Sequence, residues 1–264
     1  MTKIIAISNQ KGGVGKTTTA MNLATALAAC DKRVLVVDFD PQGNATTGFG
    51  ISKISNGRNV YSVIMGTCDV QDAIYKTEVP NLSIMPSTVH LSGAEIELVP
   101  ALRREYKLKS ALDLVAYQYD YIFIDCPPSL GLLTINALTA ANEVLVPLQT
   151  EFFAMEGISQ LLKTVEIVKK NLNPDLKLLG VLLTMFDARN KLSSLVEQDV
   201  REYFGTLVFN TVVPRNVRVS EAPSHGKPVL LYDTRCAGSL AYMKLAGEIL
   251  RKGFTPTGHE KVAA

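Results

Sequence analysis

The chain predicts an α/β fold, a mostly parallel twisted sheet of about seven or eight strands with helices on both faces. Three observations carry that expectation. Short apolar, β-branched runs alternate with helical patterns from one end of the chain to the other. Several runs, such as Val34-Leu35-Val36-Val37, are apolar at every position, which suits strands buried on both faces. The first run, Ile4 to Ile7, passes into a glycine-rich segment and then an apolar helical stretch, the opening of a right-handed βαβ unit.

Taken in order, strands are expected over Ile4–Ser8, Val34–Asp38, Leu82–Pro86, Tyr121–Asp125, Glu143–Pro147, Leu178–Thr184 and Val208–Val213. Helices are expected where apolar residues recur every three to four positions: Lys16–Ala29, Gly93–Leu98, Leu108–Ala116, Leu132–Ala141, Met155–Asn171, Leu192–Phe204 and Gly238–Lys252. With 264 residues, 47% of them hydrophobic, the chain suits one compact domain, residues 1–252. Residues 253–264, which include Gly253, Pro256 and Gly258, read as a flexible polar tail.

The first loop carries the chemistry. Lys11-Gly12-Gly13-Val14-Gly15-Lys16-Thr17-Thr18 follows the first strand directly, and its end matches the phosphate-binding pattern G-x-x-x-x-G-K-[ST]. Glycines let backbone N–H groups approach phosphates without a Cβ in the way. The helix that begins near Lys16 aims its N-terminal N–H groups and positive dipole end at the anion. Lys16 suits the β- and γ-phosphates, and the Thr17 hydroxyl suits Mg²⁺. Gln10 stands where the pattern has its first glycine, and a second lysine, Lys11, comes after it. On its own Lys11 reads equally well as a solvated loop lysine.

Two more strands end in acids, at the strand ends where parallel sheets gather ligands. Val36-Val37-Asp38-Phe39-Asp40-Pro41-Gln42 sets two acids at alternate positions; Asp38 reads either as part of a metal shell or as a loop cap. Tyr121-Ile122-Phe123-Ile124-Asp125 fits a strand that delivers Asp125 to Mg²⁺, and Pro127-Pro128 stop it. Cys126 reads as a small apolar residue. The four cysteines are far apart, which points away from disulfides, zinc and iron–sulfur clusters and toward a reducing cytoplasm. No secretory signal or membrane-spanning run is expected. The net charge is only +2, but the stretch Phe209 to Lys252 holds seven basic and three acidic residues, a candidate face for nucleic acid phosphates.

The loop resembles the deviant Walker A loop of the ParA/MinD ATPases, and the resemblance extends from Lys3 to about Arg251. The stretch at Asp38 is similar to that family's D-x-D-P-Q motif. The segments Pro147 to Ala154, Leu183 to Arg189 and Val213 to Pro228 resemble the partition branch, chromosomal ParA or Soj. The resemblance implies that Lys11 reaches across a dimer to the partner subunit's ATP, so that ATP binding and dimerisation are one event. It implies that Asp40 orients the attacking water, and that Met185, Pro214 and Asn216 surround adenine. By the same resemblance Arg189 and Arg218, with Arg251 and Lys252, hold DNA phosphates without reading sequence. The implied function is ATP-dependent partition of chromosome origins by a cytoplasmic, nucleoid-associated, Mg²⁺-dependent ATPase, released from DNA by a ParB-type partner. The alternative, a MinD-like membrane-associated positioning ATPase, calls for a C-terminal amphipathic helix; Pro256 and Gly258 speak against one.

Overall fold

The structure is a computed structural model and describes residues 2–51, 57–151 and 154–252. The chain order is β1 (Lys3–Ile7), α1 (Lys16–Ala28), β2 (Val34–Asp38), α2 (Asn44–Gly48), α3 (Val60–Met65), β3 (Tyr75–Lys76), β4 (Leu82–Met85), α4 (Leu91–Glu97) and α5 (Lys107–Asp113). It continues through β5 (Tyr121–Asp125), α6 (Leu132–Ala140), β6 (Glu143–Gln149), α7 (Ala154–Asn171), β7 (Lys177–Thr184), α8 (Lys191–Phe204), α9 (Val217–Glu221), α10 (Val229–Tyr232) and α11 (Ala237–Lys252). The seven strands form one sheet in the order β3-β4-β2-β5-β1-β6-β7. All neighbours are parallel except the short edge pair β3–β4.

Each face of the sheet has its own apolar layer. Ile5, Ile7, Val34, Val36 and Phe123 pack with α1 and α11. Their alternate neighbours Ile4, Ala6, Leu35, Val37 and Ile122 pack with the helices of the other face, α6 among them. Period-2 alternation within fully apolar strands explains why β2 and β5 are buried at every position. The helix after β1 and the helix after β5 therefore lie on opposite faces of adjacent strands. That arrangement opens a crevice at the carboxyl ends of the strands.

The expected strand over Val208–Val213 does not form. The segment runs beside β7, touching it as isolated parallel bridges at Val181–Val208 and Phe186–Pro214. Phe209 N–H and Val213 N–H still donate to β7 carbonyls at 3.0 and 2.9 Å. Between them the ladder is broken by Glu248 of α11, whose carboxylate accepts from Asn210 N–H at 3.0 Å and Thr211 N–H at 2.7 Å, and from the Thr211 hydroxyl. Charge-assisted bonds of this kind outcompete a neutral ladder bond. Close by, β7 carries a bulge against β6 between Val144 and Leu145. There Gly180 lets the Leu207 carbonyl approach to 2.5 Å from where a Cβ would stand.

Glu248 thus stitches α11 to the sheet edge. Glu248→Ala, which leaves two backbone N–H groups without their acceptor, is expected to destabilise the fold by about 2–3 kcal/mol. Urea unfolding with an unchanged slope and a lowered midpoint checks it.

Candidate functional site

The register of the sheet builds the site. Ile7 at the end of β1 and Asp38 at the end of β2 both sit opposite Asp125 at the end of β5. Three strands therefore finish at one level, and the loop after β1 lies over two acids. Gly13 and Gly15 adopt φ of +76° and +89°, left-handed values that a side chain would strain. Gly15 is the N-cap of α1, and no side chain caps that end and no acid occupies its first turn. The free N–H groups of a helix N-terminus thus face the loop, as anion binding requires. Asn9 anchors the entry, donating to the Pro147 carbonyl at 2.7 Å and accepting from Lys11 N–H at 3.0 Å.

Lys16 is buried, and its Nζ donates to the Lys11 carbonyl at 3.1 Å. Burial lowers its pKa, opposed by Asp125, Cys126 and Asp40. Asp38 and Asp125 are both fully buried. Burial pushes the Asp38 carboxyl up to about 6, with the Thr46 hydrogen bonds working against the shift. Burial also pushes Asp125 well up, and the neighbouring Asp38 adds to it. Asp38 Oδ2 accepts from Thr46 N–H at 2.7 Å and the Thr46 hydroxyl at 2.6 Å, fixing the start of α2. Asp38 Oδ1 and both Asp125 oxygens lack a well-formed hydrogen bond among the described residues; the Thr17 hydroxyl and the Asp40 N–H approach Asp125 and Asp38 only weakly. The two readings of Asp38 therefore coexist in one side chain: one oxygen caps the loop and the other is uncommitted.

Three uncommitted buried carboxylate oxygens beside the Thr17 hydroxyl are a donor set of hard oxygens, and they fit Mg²⁺. Thr17 also opposes the upward shift of Asp125. Asp40 is nearly buried, with Oδ1 accepting from Gln42 N–H at 2.9 Å, so it sits in a fixed turn beside Lys16. Cys126 is fully buried, and burial raises its thiol pKa; it is an apolar filler, not a nucleophile.

Met185, Pro214 and Asn216, distant in sequence, line one cavity of about 90 Å³ that also touches Gly15 and Thr18 of the loop. Met185 is a non-glycine residue at φ +50°, an outlier that persists only where its surroundings hold it. They do: the Thr184 hydroxyl donates to the Val14 carbonyl at 2.8 Å, and Phe186 exchanges backbone bonds with Val213 and Arg215. A much larger cleft of about 890 Å³ lies behind Pro214 along α11. It meets neither the loop nor the acids, so the smaller cavity is the one continuous with the site.

Of the expected basic contacts, Arg189 and Arg218 follow the carboxyl end of β7 and the cavity segment, whereas Arg251 lies near the far end of α11 from Gly238, which packs on Val219 and Asn216. Arg189 is 89% exposed and pairs with Asp187 at 3.0 Å, which holds Asp187 down at about 2. Arg218 pairs with Glu221 at 3.1 Å and Asp233 at 3.7 Å. Arg251 lines the large cleft with Phe186 and Pro214. The Lys252 side chain and the expected tail 253–264 lie outside the described residues. Sequence reading missed Thr46, Thr184, Tyr242 and Glu151. Tyr242 lines the small cavity and meets Thr19 of α1 at 3.3 Å; nothing local marks it. Glu151 takes Lys11 Nζ at 2.7 Å, and its only sequence signal is its place in the Pro147–Ala154 segment.

An ionised Asp125 without a cation is a cost of the fold. Because folded carboxyls with raised pKa bind protons more tightly than unfolded ones, the cation-free chain loses stability as pH rises from about 4 through about 6 on account of Asp38, and Asp125, raised in the same direction, adds to the loss. Asp125→Asn is expected to raise the thermal midpoint in EDTA at pH 7.5 by about 3–8 °C. It should also abolish stabilisation by Mg²⁺ with ATP. A midpoint equal to or below wild type in calorimetry contradicts that role for Asp125.

Comparison with known proteins agrees with the geometry. A family profile described as an AAA domain matches residues 2–178. The chain is 57% identical over 252 residues to the chromosome partitioning protein ParA of Caulobacter vibrioides, covering 95% of this chain and 94% of that one. It is 58% identical over 253 residues to the sporulation initiation inhibitor protein Soj of Bacillus subtilis, covering 96% and 100%. Among solved structures, cobyrinic acid a,c-diamide synthase from Mycobacterium smegmatis with bound ATP analog and magnesium superposes with a TM-score of 0.87 at 38% identity, covering 97% and 96%. The chain belongs to the ParA/Soj family of partitioning ATPases, the branch of the ParA/MinD group that its phosphate loop and its 213–228 segment had pointed to.

Proposed function

We propose that residues 1–252 form one Mg²⁺-dependent ATPase domain that dimerises on ATP, binds DNA without sequence preference, and partitions chromosome origins. The observation that carries the reading is the convergence, at one end of the sheet, of the glycine loop, buried Lys16 and three uncommitted carboxylate oxygens of Asp38 and Asp125. Gly12 to Thr18 cradle the triphosphate through backbone N–H groups. Lys16 leaves the Lys11 carbonyl for the β- and γ-phosphates. Thr17, Asp125 and the free oxygen of Asp38 hold Mg²⁺, which when bound supplies neutralisation of phosphate charge. Met185, Pro214 and Asn216 receive the base in the small cavity.

Hydrolysis of a phosphoanhydride asks the protein for position and charge, not for a covalent intermediate. Asp40 orients the attacking water and accepts its proton. Lys11 from the partner subunit stabilises charge on the transferring phosphoryl group, in the manner of an arginine finger. A ParB-type partner completes this arrangement, and hydrolysis then releases the dimer from DNA on the nucleoid. Arg189 and Arg218, exposed beside the cavity segment, hold DNA phosphates, with Arg251 and Lys252 at the end of α11 extending the contact. No described helix is long and apolar enough to cross a membrane.

The test is binding of random-sequence duplex DNA with ATP, with ADP and without nucleotide, using Asp40→Ala to slow turnover. The expected result is binding with ATP alone. Its affinity falls as a steep power of salt concentration, with a slope that loses about one unit per phosphate contact removed. Arg189→Ala and Arg218→Ala should each lower that slope while leaving ATP-dependent dimerisation intact. Equal affinity in all three nucleotide conditions would sink the switch. Binding to anionic vesicles in place of DNA would favour the membrane reading.

A further inference from the structure

We propose that Glu151 is a competing acceptor for Lys11, holding it within its own chain until a second subunit's phosphates take it away. The inference rests on the reading that Lys11 acts across a dimer. Lys11 Nζ lies 2.7 Å from Glu151 Oε2, with the two side chains 38% and 47% exposed. The pair is preorganised from both sides. The Lys11 backbone is fixed by Asn9 at 3.0 Å and its carbonyl takes Lys16 Nζ at 3.1 Å, so only the Lys11 side chain is free to swing. Glu151 is aimed independently of Lys11, because Gln149 at the end of β6 donates to Glu151 Oε1 and its carbonyl accepts Glu151 N–H at 2.8 Å.

The two partners follow adjacent strands, β1 and β6, in the loops at the end of the sheet where the proposed phosphate site lies. The contact is too exposed to matter much for stability. An ion pair of this kind shifts an equilibrium by about 1.5- to 5-fold. A triphosphate bearing several negative charges outcompetes one carboxylate for the same ammonium. Glu151 therefore reduces the fraction of chains whose Lys11 is available, and apparent affinity for the second subunit falls by that fraction. Two lysines are released per dimer, so the effect on the dimer is the square, about 2- to 25-fold. Glu151 is in this sense a positioning residue that sets the ATP-dependent dimerisation threshold.

The experiment is sedimentation equilibrium of the full chain with Mg²⁺ and a slowly hydrolysed ATP analogue. Glu151→Gln is expected to lower the dimer dissociation constant by about 2- to 25-fold, with its nucleotide-free thermal midpoint unchanged. Its advantage over wild type should shrink as salt screens the ion pair, which a merely structural role would not produce. Glu151→Asp keeps the charge but draws it back by one methylene, and it should give a smaller gain. Lys11→Ala separates the two roles. If Lys11→Ala dimerises like wild type, Lys11 bridges nothing, and the reading beneath the proposal fails with it. If Lys11→Ala fails to dimerise while Glu151→Gln matches wild type, the proposal alone is overturned. Weaker dimerisation of Glu151→Gln also overturns it, and assigns Glu151 to supporting Lys11 in the assembled dimer.

Discussion

Two carboxylates buried side by side, Asp38 and Asp125, are the constraint on which the site depends. The parallel register sets them opposite each other on neighbouring strands, and burial makes their charge costly. A fold that carried them only for stability would have given each a full set of donors, as buried carboxylates in structural roles have. Here Thr46 satisfies one oxygen and three remain uncommitted. The fold tolerates this because β2 and β5 carry only apolar or aromatic residues up to those terminal acids and are anchored in both layers of the core. The site is a local expense carried by a well-buried sheet.

Much of this was legible in the sequence, and the division between legible and not has a physical pattern. Central strands such as Val34–Asp38 and Tyr121–Asp125 announced themselves because burial on both faces demands continuous apolar runs. The phosphate loop announced itself because only glycine meets the backbone geometry of Gly13 and Gly15. What stayed hidden depends on partners far away in the chain. The apolar run Val208–Val213 has every local mark of a strand, yet Glu248, 37 residues from Thr211, takes its amide groups. Tyr242 reaches the small cavity beside the phosphate loop from α11 across a separation of 223 residues from Thr19. The short elements α2, α3, α9 and α10 and the two-residue β3 are too brief for periodicity to register.

The site and the basic end of the molecule are joined by a short, rigid path. Thr184 bonds the phosphate loop through the Val14 carbonyl, Met185 turns in a left-handed conformation, and Phe186 bridges to Pro214. Asn216, two residues beyond Pro214, lines the small cavity beside the phosphate loop and caps α9, accepting from Arg218 N–H at 3.0 Å. In the proposed function, base occupancy and the orientation of Arg218 would both act through the same short helix. A chain of packed, hydrogen-bonded elements of this kind is what carries coupling between sites. It requires no long-range displacement, only a choice between two partners at each step.

That choice recurs at each described cation in the functional reading for which a bond has been given. Lys16 holds the Lys11 carbonyl, Lys11 holds Glu151, Arg189 holds Asp187, and Arg218 holds Glu221 and Asp233. The four pairs with acids are exposed enough that each contributes little, so none locks the chain. On the proposed function, binding a triphosphate, a second subunit or DNA would exchange one weak internal partner for a stronger external one. Exchange lowers the net gain of each binding step compared with a free cation, which keeps the steps reversible. It also suppresses encounters with isolated anions, since a single phosphate offers little more than the carboxylate it displaces. For the switch proposed here, which would assemble, hold DNA and let go, cations already in modest partnerships serve better than cations left free.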